Sequence, residues 1–267
     1  MVELPTTVLG HTGLVVTRLG IGGAYAKSAD DYRAALDTGV TYVDTARNYA
    51  DGEDERRIGE ALVGYRDRIT LATKTIKRDA AGARADLESS LRLLRTDYID
   101  IWQLHYLNTD ADRAQALGPG GALEAALAAR DEGLVRFIGV TGHDWAQVAL
   151  AVQTGAFDTV LCWYNCAMPE PETLLFPHTM AQRMGVVIMQ TTRVDKLLSP
   201  DDNPPPETFY RYVLSHPAVS VALMGLRDLD RFRRVAAALA ERATMVPGEK
   251  EWLEAYGREL RAAGKLD

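Results

Sequence analysis

Four residues with proton-handling side chains follow one another along the chain: Asp44, Tyr49, Lys74 and His105. The β-rich run TYVDTA from Thr41 carries Asp44 and leads into Tyr49; ITLATK from Ile69 ends at Lys74; YIDIWQLH from Tyr98 ends at His105. Singly, an Asp or a His at a strand end is an ordinary cap or loop hydrogen-bonder. On neighbouring strands the four describe one chemistry. A buried Lys74 ammonium beside Tyr49 stabilises the phenolate and draws a pKa of about 10 toward neutrality, while Asp44 keeps the lysine charged. Tyr49 then serves as proton donor, and His105 holds a carbonyl oxygen in line with that proton. That is half of a carbonyl reduction. The other half is a hydride, which no side chain supplies and which calls for a nicotinamide or flavin cofactor.

Such a set works only if successive strand ends meet at one rim. Eight β-rich runs alternate with eight segments whose apolar residues recur every three or four positions. Besides the three named, the runs are RLGIGGA from Arg18, VRFIGVT from Val135, DTVLCWYN from Asp158, VVIMQT from Val186 and VSVALMG from Val219. The helical segments lie around 28–38, 53–63, 81–95, 121–132, 145–154, 174–184, 207–215 and 228–241. Leu87, Leu91 and Leu94 share a face of the third, and Leu229, Phe232, Ala236 and Leu239 share a face of the eighth. Strict alternation implies parallel pairing, and eight units in about 200 residues imply an α/β fold of the (β/α)8 TIM-barrel type. An open doubly wound sheet is the alternative, but no GxGxxG turn follows the first strand. TTVLGHTGLVVTRLG reads as an N-terminal β-hairpin plugging the barrel bottom, and VPGEKEWLEAYGREL as an extra C-terminal helix packed outside. The insertions 106–120 and 193–206 follow strand ends and should overhang the active face. Residues 1–267 are expected to form a single domain.

Composition narrows the function. Apolar residues make up 47% and charged residues 25%, as in an ordinary globular protein, and the formal net charge of −7 repels phosphate backbones. No nucleic-acid partner is expected. Cys162 and Cys166 are too few for a disulfide framework and fit a reducing cytoplasm. The start lacks a basic and apolar leader, and no run approaches the about 18 apolar residues that span a bilayer, so a cytoplasmic protein without a membrane partner is expected. His11, His178 and His216 have no ligand-spaced partners, and no metal site is expected.

The segment VDTARNYADGEDERRIGEAL resembles the signature of the aldo-keto reductase family, with LATK similar to its lysine strand, YIDIWQLHY to its histidine strand and RLGIGGA to its first strand. The resemblance extends over nearly the whole chain. It implies NADPH-dependent reduction of an aldehyde or ketone, or the reverse with NADP+. Tyr49 would be the acid, Lys74 and Asp44 would tune it, and His105 would orient the carbonyl. The cofactor would bind first, extended across the barrel mouth.

In MGLRDLDRFRRV, Gly225 allows close backbone approach, Asp228 can cap a helix, and a helix N-terminus favours an anion. Arg227 and Arg231, four apart, are expected on one helical face. The resemblance makes this the phosphate-gripping stretch, with Gly225, Leu226 and Arg227 along the cofactor and Arg231 on the adenosine 2′-phosphate. Val235 replaces the usual adenine-side asparagine. The resemblance also places Gly22, Gly23, Asp44, Thr141, Gly142, His143, Asn165, Met189, Gln190, Thr191 and Arg193 against the cofactor, Arg193 as an anion donor. Gly142 stands where the family carries asparagine, and Leu161 where it carries glutamine. His143 and Asn165 are candidates to compensate. Tyr25, Tyr106 and Trp145 could wall an apolar substrate pocket.

These departures motivate a second reading, a redox-silent barrel that binds a nicotinamide nucleotide as a regulatory or scaffold subunit. A phosphate-dependent barrel isomerase or lyase is a third, and it leaves the four-residue set a coincidence. The short tail after residue 241 suggests an open mouth suited to bulky sugar-like, terpenoid or aromatic substrates. Substrate identity, reaction direction and oligomeric state are not readable from the residues.

Overall fold

The computed structural model describes residues 3–201 and 203–266. Expectations touching Met1, Val2, Asp202 and Asp267 lie outside the described residues. Eight parallel strands close on themselves: β3 (Leu19–Gly22), β4 (Tyr42–Asp44), β5 (Thr70–Thr75), β6 (Ile99–Leu104), β7 (Val135–Thr141), β8 (Thr159–Trp163), β9 (Gly185–Met189) and β10 (Val219–Gly225), with β10 returning to β3. They are the eight runs read from the sequence, so the (β/α)8 barrel is the fold. The hairpin β1 (Thr6–Val8) and β2 (Val15–Thr17) pairs antiparallel ahead of it.

The hairpin stoppers the end of the barrel where the strands begin. Leu9, Leu14 and Val16 join Tyr42, Ile101, Leu161, Val187 and Val221 in the apolar interior. Gly10 must be glycine here: a Cβ would stand 2.2 Å from the Gly185 nitrogen, and the backbone has φ +55°. His11 Nε2 lies 3.0 Å from Asp158 Oδ1, which ties the turn to the residue before β8.

Around the barrel lie α1 (Ala29–Leu36), α2 (Glu53–Ala61), α3 (Ala80–Leu94), α4 (Asp110–Leu117), α5 (Ala122–Asp131), α6 (Trp145–Val152), α7 (Pro171–Leu174), α8 (Phe176–Ala181), α9 (Pro206–Ser215), α10 (Leu229–Glu241) and α11 (Glu249–Ala262). Each long cover buries its apolar stripe, as Leu87 and Leu94 do on α3 and Phe232, Ala236 and Leu239 on α10. Two expectations change. The helix expected over 174–184 is split into α7 and α8, each beginning with proline at its first turn, where proline starts a helix and breaks the one before it. The insertion 106–120 contains α4, whose N-cap Thr109 accepts from the Asp112 amide.

The final helix is present, but it leans on the active face. Gly257 packs against the Cys166 backbone, and Tyr256 donates to the Leu197 carbonyl at 2.9 Å. It therefore braces the loops after β8 and β9. Cys162 and Cys166 are free and buried, and burial pushes both thiols above their ordinary pKa. Among the described residues no helix is long and apolar enough to cross a membrane.

Candidate active site

The consecutive strands β4, β5 and β6 bring Asp44, Lys74 and His105 to one sector of the mouth, and the 3-10 turn after β4 adds Tyr49. Lys74 Nζ donates to Asp44 Oδ2 at 2.5 Å and to the Thr45 carbonyl at 2.6 Å, both side chains being buried. The ammonium stands 5.0 Å from the Tyr49 ring centroid, and the Tyr49 and His105 rings meet edge to face at 5.9 Å.

The expected fall in the Tyr49 pKa does not occur in this state. Burial and then the Asp44 charge push the phenol well above its ordinary value. The physical reason is that Lys74 is already neutralised by Asp44, so Tyr49 faces an ion pair and not a bare cation. Tyr49 is thus a firmly protonated donor. Asp44 itself is raised by burial, against the pull of Lys74 and of its hydrogen bond from Gln103. His105 is pushed down to about 2, first by burial and then by the Lys74 charge, so its imidazole is neutral.

Gln103, which the sequence reading passed over, donates from Nε2 to Asp44 Oδ1 at 2.8 Å. The signal was available: it is a polar residue in a fully buried strand, two positions before His105 and therefore on the same face. Asp54 was also missed; fully buried, it accepts from Thr45 Oγ1 at 2.6 Å and Tyr32 Oη at 2.7 Å and so fixes the loop whose carbonyl holds Lys74.

Beside this sector, a cleft between the ends of β9 and β10 is lined by Tyr25, Gln190, Thr191, Gly225, Arg227 and Arg231. Gln190 Oε1, Thr191 Oγ1 and Arg231 Nε, which line the cleft, are buried without a hydrogen-bond partner, as is Thr141 Oγ1 at the end of β7. Buried polar groups are ordinarily satisfied, so these donors and acceptors suit a polar ligand that is bound in function. Gly22 and Gly225 are paired neighbours on β3 and β10. A Cβ at Gly225 would press into the Tyr25 ring at 2.4 Å, and the Arg227 guanidinium lies 4.1 Å over that same ring. Gly23 donates from its backbone to the Asp44 carbonyl at 2.7 Å and closes the β3 end onto β4.

Several expected contacts are placed elsewhere. Asp228 caps α10 by accepting from the Arg231 amide at 2.8 Å, so Arg227 precedes the helix and shares no helical face with Arg231. Leu226 is in the hydrophobic core between barrel and helices. Asn165 ties two loops together: its Nδ2 donates to the Gln190 carbonyl at 2.9 Å and its Oδ1 accepts from the Ala167 amide at 3.0 Å. A side chain at Gly142 would point to the outer layer, into Val148 of α6, so the missing carboxamide there leaves no gap in the mouth. Leu161 is part of the barrel's apolar interior.

Of the three expected pocket aromatics, only Tyr106 stands beside His105. It does so at φ +59°, a left-handed turn held by Arg78, which donates to the carbonyls of His105 at 2.8 Å and Tyr106 at 2.9 Å. Tyr25 belongs to the cleft, and Trp145, packed toward the outer core, donates from Nε1 to the Trp163 carbonyl at 2.9 Å. Trp163 takes its place at the mouth; on β8 it lies two residues beyond Leu161, hence on the inward face, opposite Met189 of β9. His143, whose imidazole burial and then Arg193 push toward neutrality, sits 4.3 Å from the Trp163 ring.

The chain leaves β9 through Gln190 and then Arg193, Val194 and Asp195, all with positive φ. Left-handed backbone is costly for such residues, most of all for β-branched valine. The turn sends neighbouring charges apart. Asp195 Oδ2 meets Arg231 Nη1 at 3.0 Å, with Asp228 at 3.8 Å on the other side of that guanidinium. Arg193 instead lies over Trp163, outside the cleft where an anion-binding role was expected.

Comparison with known proteins matches residues 18–197 to the aldo/keto reductase family. Aldo-keto reductase YhdN of Bacillus subtilis is 30% identical over 205 residues, covering 68% of this chain and 60% of YhdN. Methylglyoxal reductase YeaE of Escherichia coli is 37% identical over 118 residues, covering 43% of this chain and 39% of YeaE. The match thus spans less than two thirds of either relative's length. Among solved structures, an aldo/keto reductase from Klebsiella pneumoniae in complex with NADP and acetate is 25% identical, with a TM-score of 0.80 and 96% of both chains covered. The holo form of AKR11C1 from Bacillus halodurans shares the fold, with a TM-score of 0.82 over 95% of this chain and 96% of its own at 23% identity. Sequence from Arg18 to Leu197 and the hairpin-floored barrel agree, and the chain belongs to the aldo/keto reductase family.

Proposed function

We propose that the protein is an NADPH-dependent oxidoreductase that reduces an aldehyde or ketone to an alcohol, or runs the reverse with NADP+. The observation that carries this reading is the buried Lys74–Asp44 pair set against Tyr49, with a neutral His105 beside it. A carbonyl oxygen placed between Tyr49 and His105 receives the phenolic proton as its carbon is reduced. Lys74 steadies the phenolate as it forms, Asp44 keeps Lys74 charged, and Gln103 and Thr45 hold that pair in place.

The unpartnered Thr141, Gln190 and Thr191 and the open strand ends at Gly22 and Gly225 fit a nicotinamide nucleotide, with Arg231 at the α10 N-terminus for its 2′-phosphate. When bound, NADPH supplies the hydride. The solved Klebsiella pneumoniae relative with NADP supports this cofactor class.

The test is a titration of the purified protein with NADPH and NADH, followed by intrinsic Trp fluorescence, then turnover on small and aromatic carbonyls. Methylglyoxal, named for YeaE, is the first substrate to try. Tight NADPH binding with carbonyl turnover is the expected outcome. Binding without turnover across the panel would give the redox-silent reading its place, and no binding would sink both.

A further inference from the structure

Arg193 is half-buried, yet its guanidinium has no hydrogen bond and no ion pair among the described residues; it lies 4.6 Å from the Trp163 ring centroid, and its Nε is shielded from solvent. Three other half-buried arginines show the partners such a group ordinarily finds. Arg18 ends on the carbonyls of Leu214 and Val219, Arg66 on Asp100, and Arg78 on Asp112. A guanidinium drawn out of water without a counter-charge is disfavoured unless something in function supplies one.

Its position says what that something is. From Tyr49 the rings form an unbroken row: His105 at 5.9 Å, Tyr106 stacked on it at 3.7 Å and 15°, His143 edge-on at 4.8 Å, Trp163 at 4.3 Å, and then Arg193. The row begins where a carbonyl would be reduced and ends at a lone cation. The cleft lining, by contrast, passes from Thr192 to Val194 and leaves Arg193 out.

We propose that Arg193 is a specificity-determining residue for the reduction, selecting carbonyl compounds that carry a carboxylate, with the body of the substrate along the Tyr106–His143–Trp163 wall and the carboxylate on the guanidinium. This rests on the reductase reading above. The guanidinium stands over the indole, and its Nη donors, which lie in the guanidinium plane, match a planar carboxylate bidentately. His143, held neutral by burial and by Arg193, adds no second cation of the kind a phosphate dianion would call for.

The experiment compares 4-formylbenzoate with its methyl ester under saturating NADPH, in wild type, Arg193→Met and Arg193→Lys, with NADPH dissociation constants measured by fluorescence. Wild type should favour the acid through a lower KM. Arg193→Met should cut the acid-to-ester ratio of kcat/KM by about ten- to a hundredfold, the scale of a charge-assisted pair. Arg193→Lys, which keeps the charge without the fork, should restore part of it. An unchanged ratio overturns the proposal, as does a weakened NADPH affinity with equal loss on both aldehydes, which would put Arg193 on the cofactor. If wild type turns over the ester without preferring the acid, the reductase reading stands and this one falls. If it reduces neither, both fall.

Discussion

Asp195 and Arg231 join the strained turn after β9 to the first turn of α10, Oδ2 to Nη1 at 3.0 Å. A carboxylate thereby occupies the guanidinium to which the 2′-phosphate reading assigns NADPH. Phosphate must displace or share it, and both carry negative charge. Asp195→Asn should therefore tighten NADPH severalfold, to about tenfold, while moving NADH much less. Paired fluorescence titrations check this; equal gains for both nucleotides would remove Arg231 from the 2′-phosphate.

Tyr49→Phe deletes the proton donor without disturbing Lys74, which leans on Asp44 and Thr45 and not on the phenol. The rate of carbonyl reduction should fall by about 10²-fold or more with the NADPH dissociation constant nearly unchanged. Retained turnover would reassign the acid.

Gln103→Leu withdraws one hydrogen bond from the ionised Asp44 inside an apolar barrel. Burial already raises this carboxyl, and Gln103 is among the groups restraining it. Its pKa should rise further, so the acid limb of the kcat profile should move to higher pH. A profile that only drops in height would make Gln103 a packing residue.

His105 links stability to acid. In the unfolded chain the imidazole takes a proton near its ordinary 6.5, whereas the folded site resists until about 2. The unfolded state therefore binds more protons throughout that interval, and stability should decline as pH falls below about 6.5. His105→Gln removes this contribution. Its urea midpoint should change less between pH 7 and pH 4 than that of wild type.

Gly10→Ala forces a Cβ into the Gly185 backbone at a left-handed residue. A loss of about 2–4 kcal/mol is expected in urea unfolding. A change within error would show that the hairpin can lift from the barrel at no cost.

What the sequence disclosed and withheld divides along physical lines. All eight strands and the tetrad sector were legible because period-two and period-3.6 patterns alternate and because barrel strands end on a common rim. The turn after β9 was not. Left-handed turns are announced by glycine or asparagine, and here Arg193, Val194 and Asp195 adopt them without that signal, so the direction that sets Arg193 over Trp163 is not legible in the residues. Trp163 hid for a different cause: Leu161 enters through the family resemblance, which does not mark the residue two positions beyond it on the same face of β8. Arg227 was misplaced although its neighbour Asp228 was named as a possible cap; a cap ends the helix, and what precedes it lies outside.

The hairpin floor has a kinetic meaning. With Leu9, Leu14 and Val16 filling the far end, the barrel is a cup, and everything that reaches Tyr49 arrives and leaves by the same rim. Reactants and products must queue at one doorway, so the order in which they are admitted, and the time the last of them takes to clear the rim, becomes part of the turnover rate.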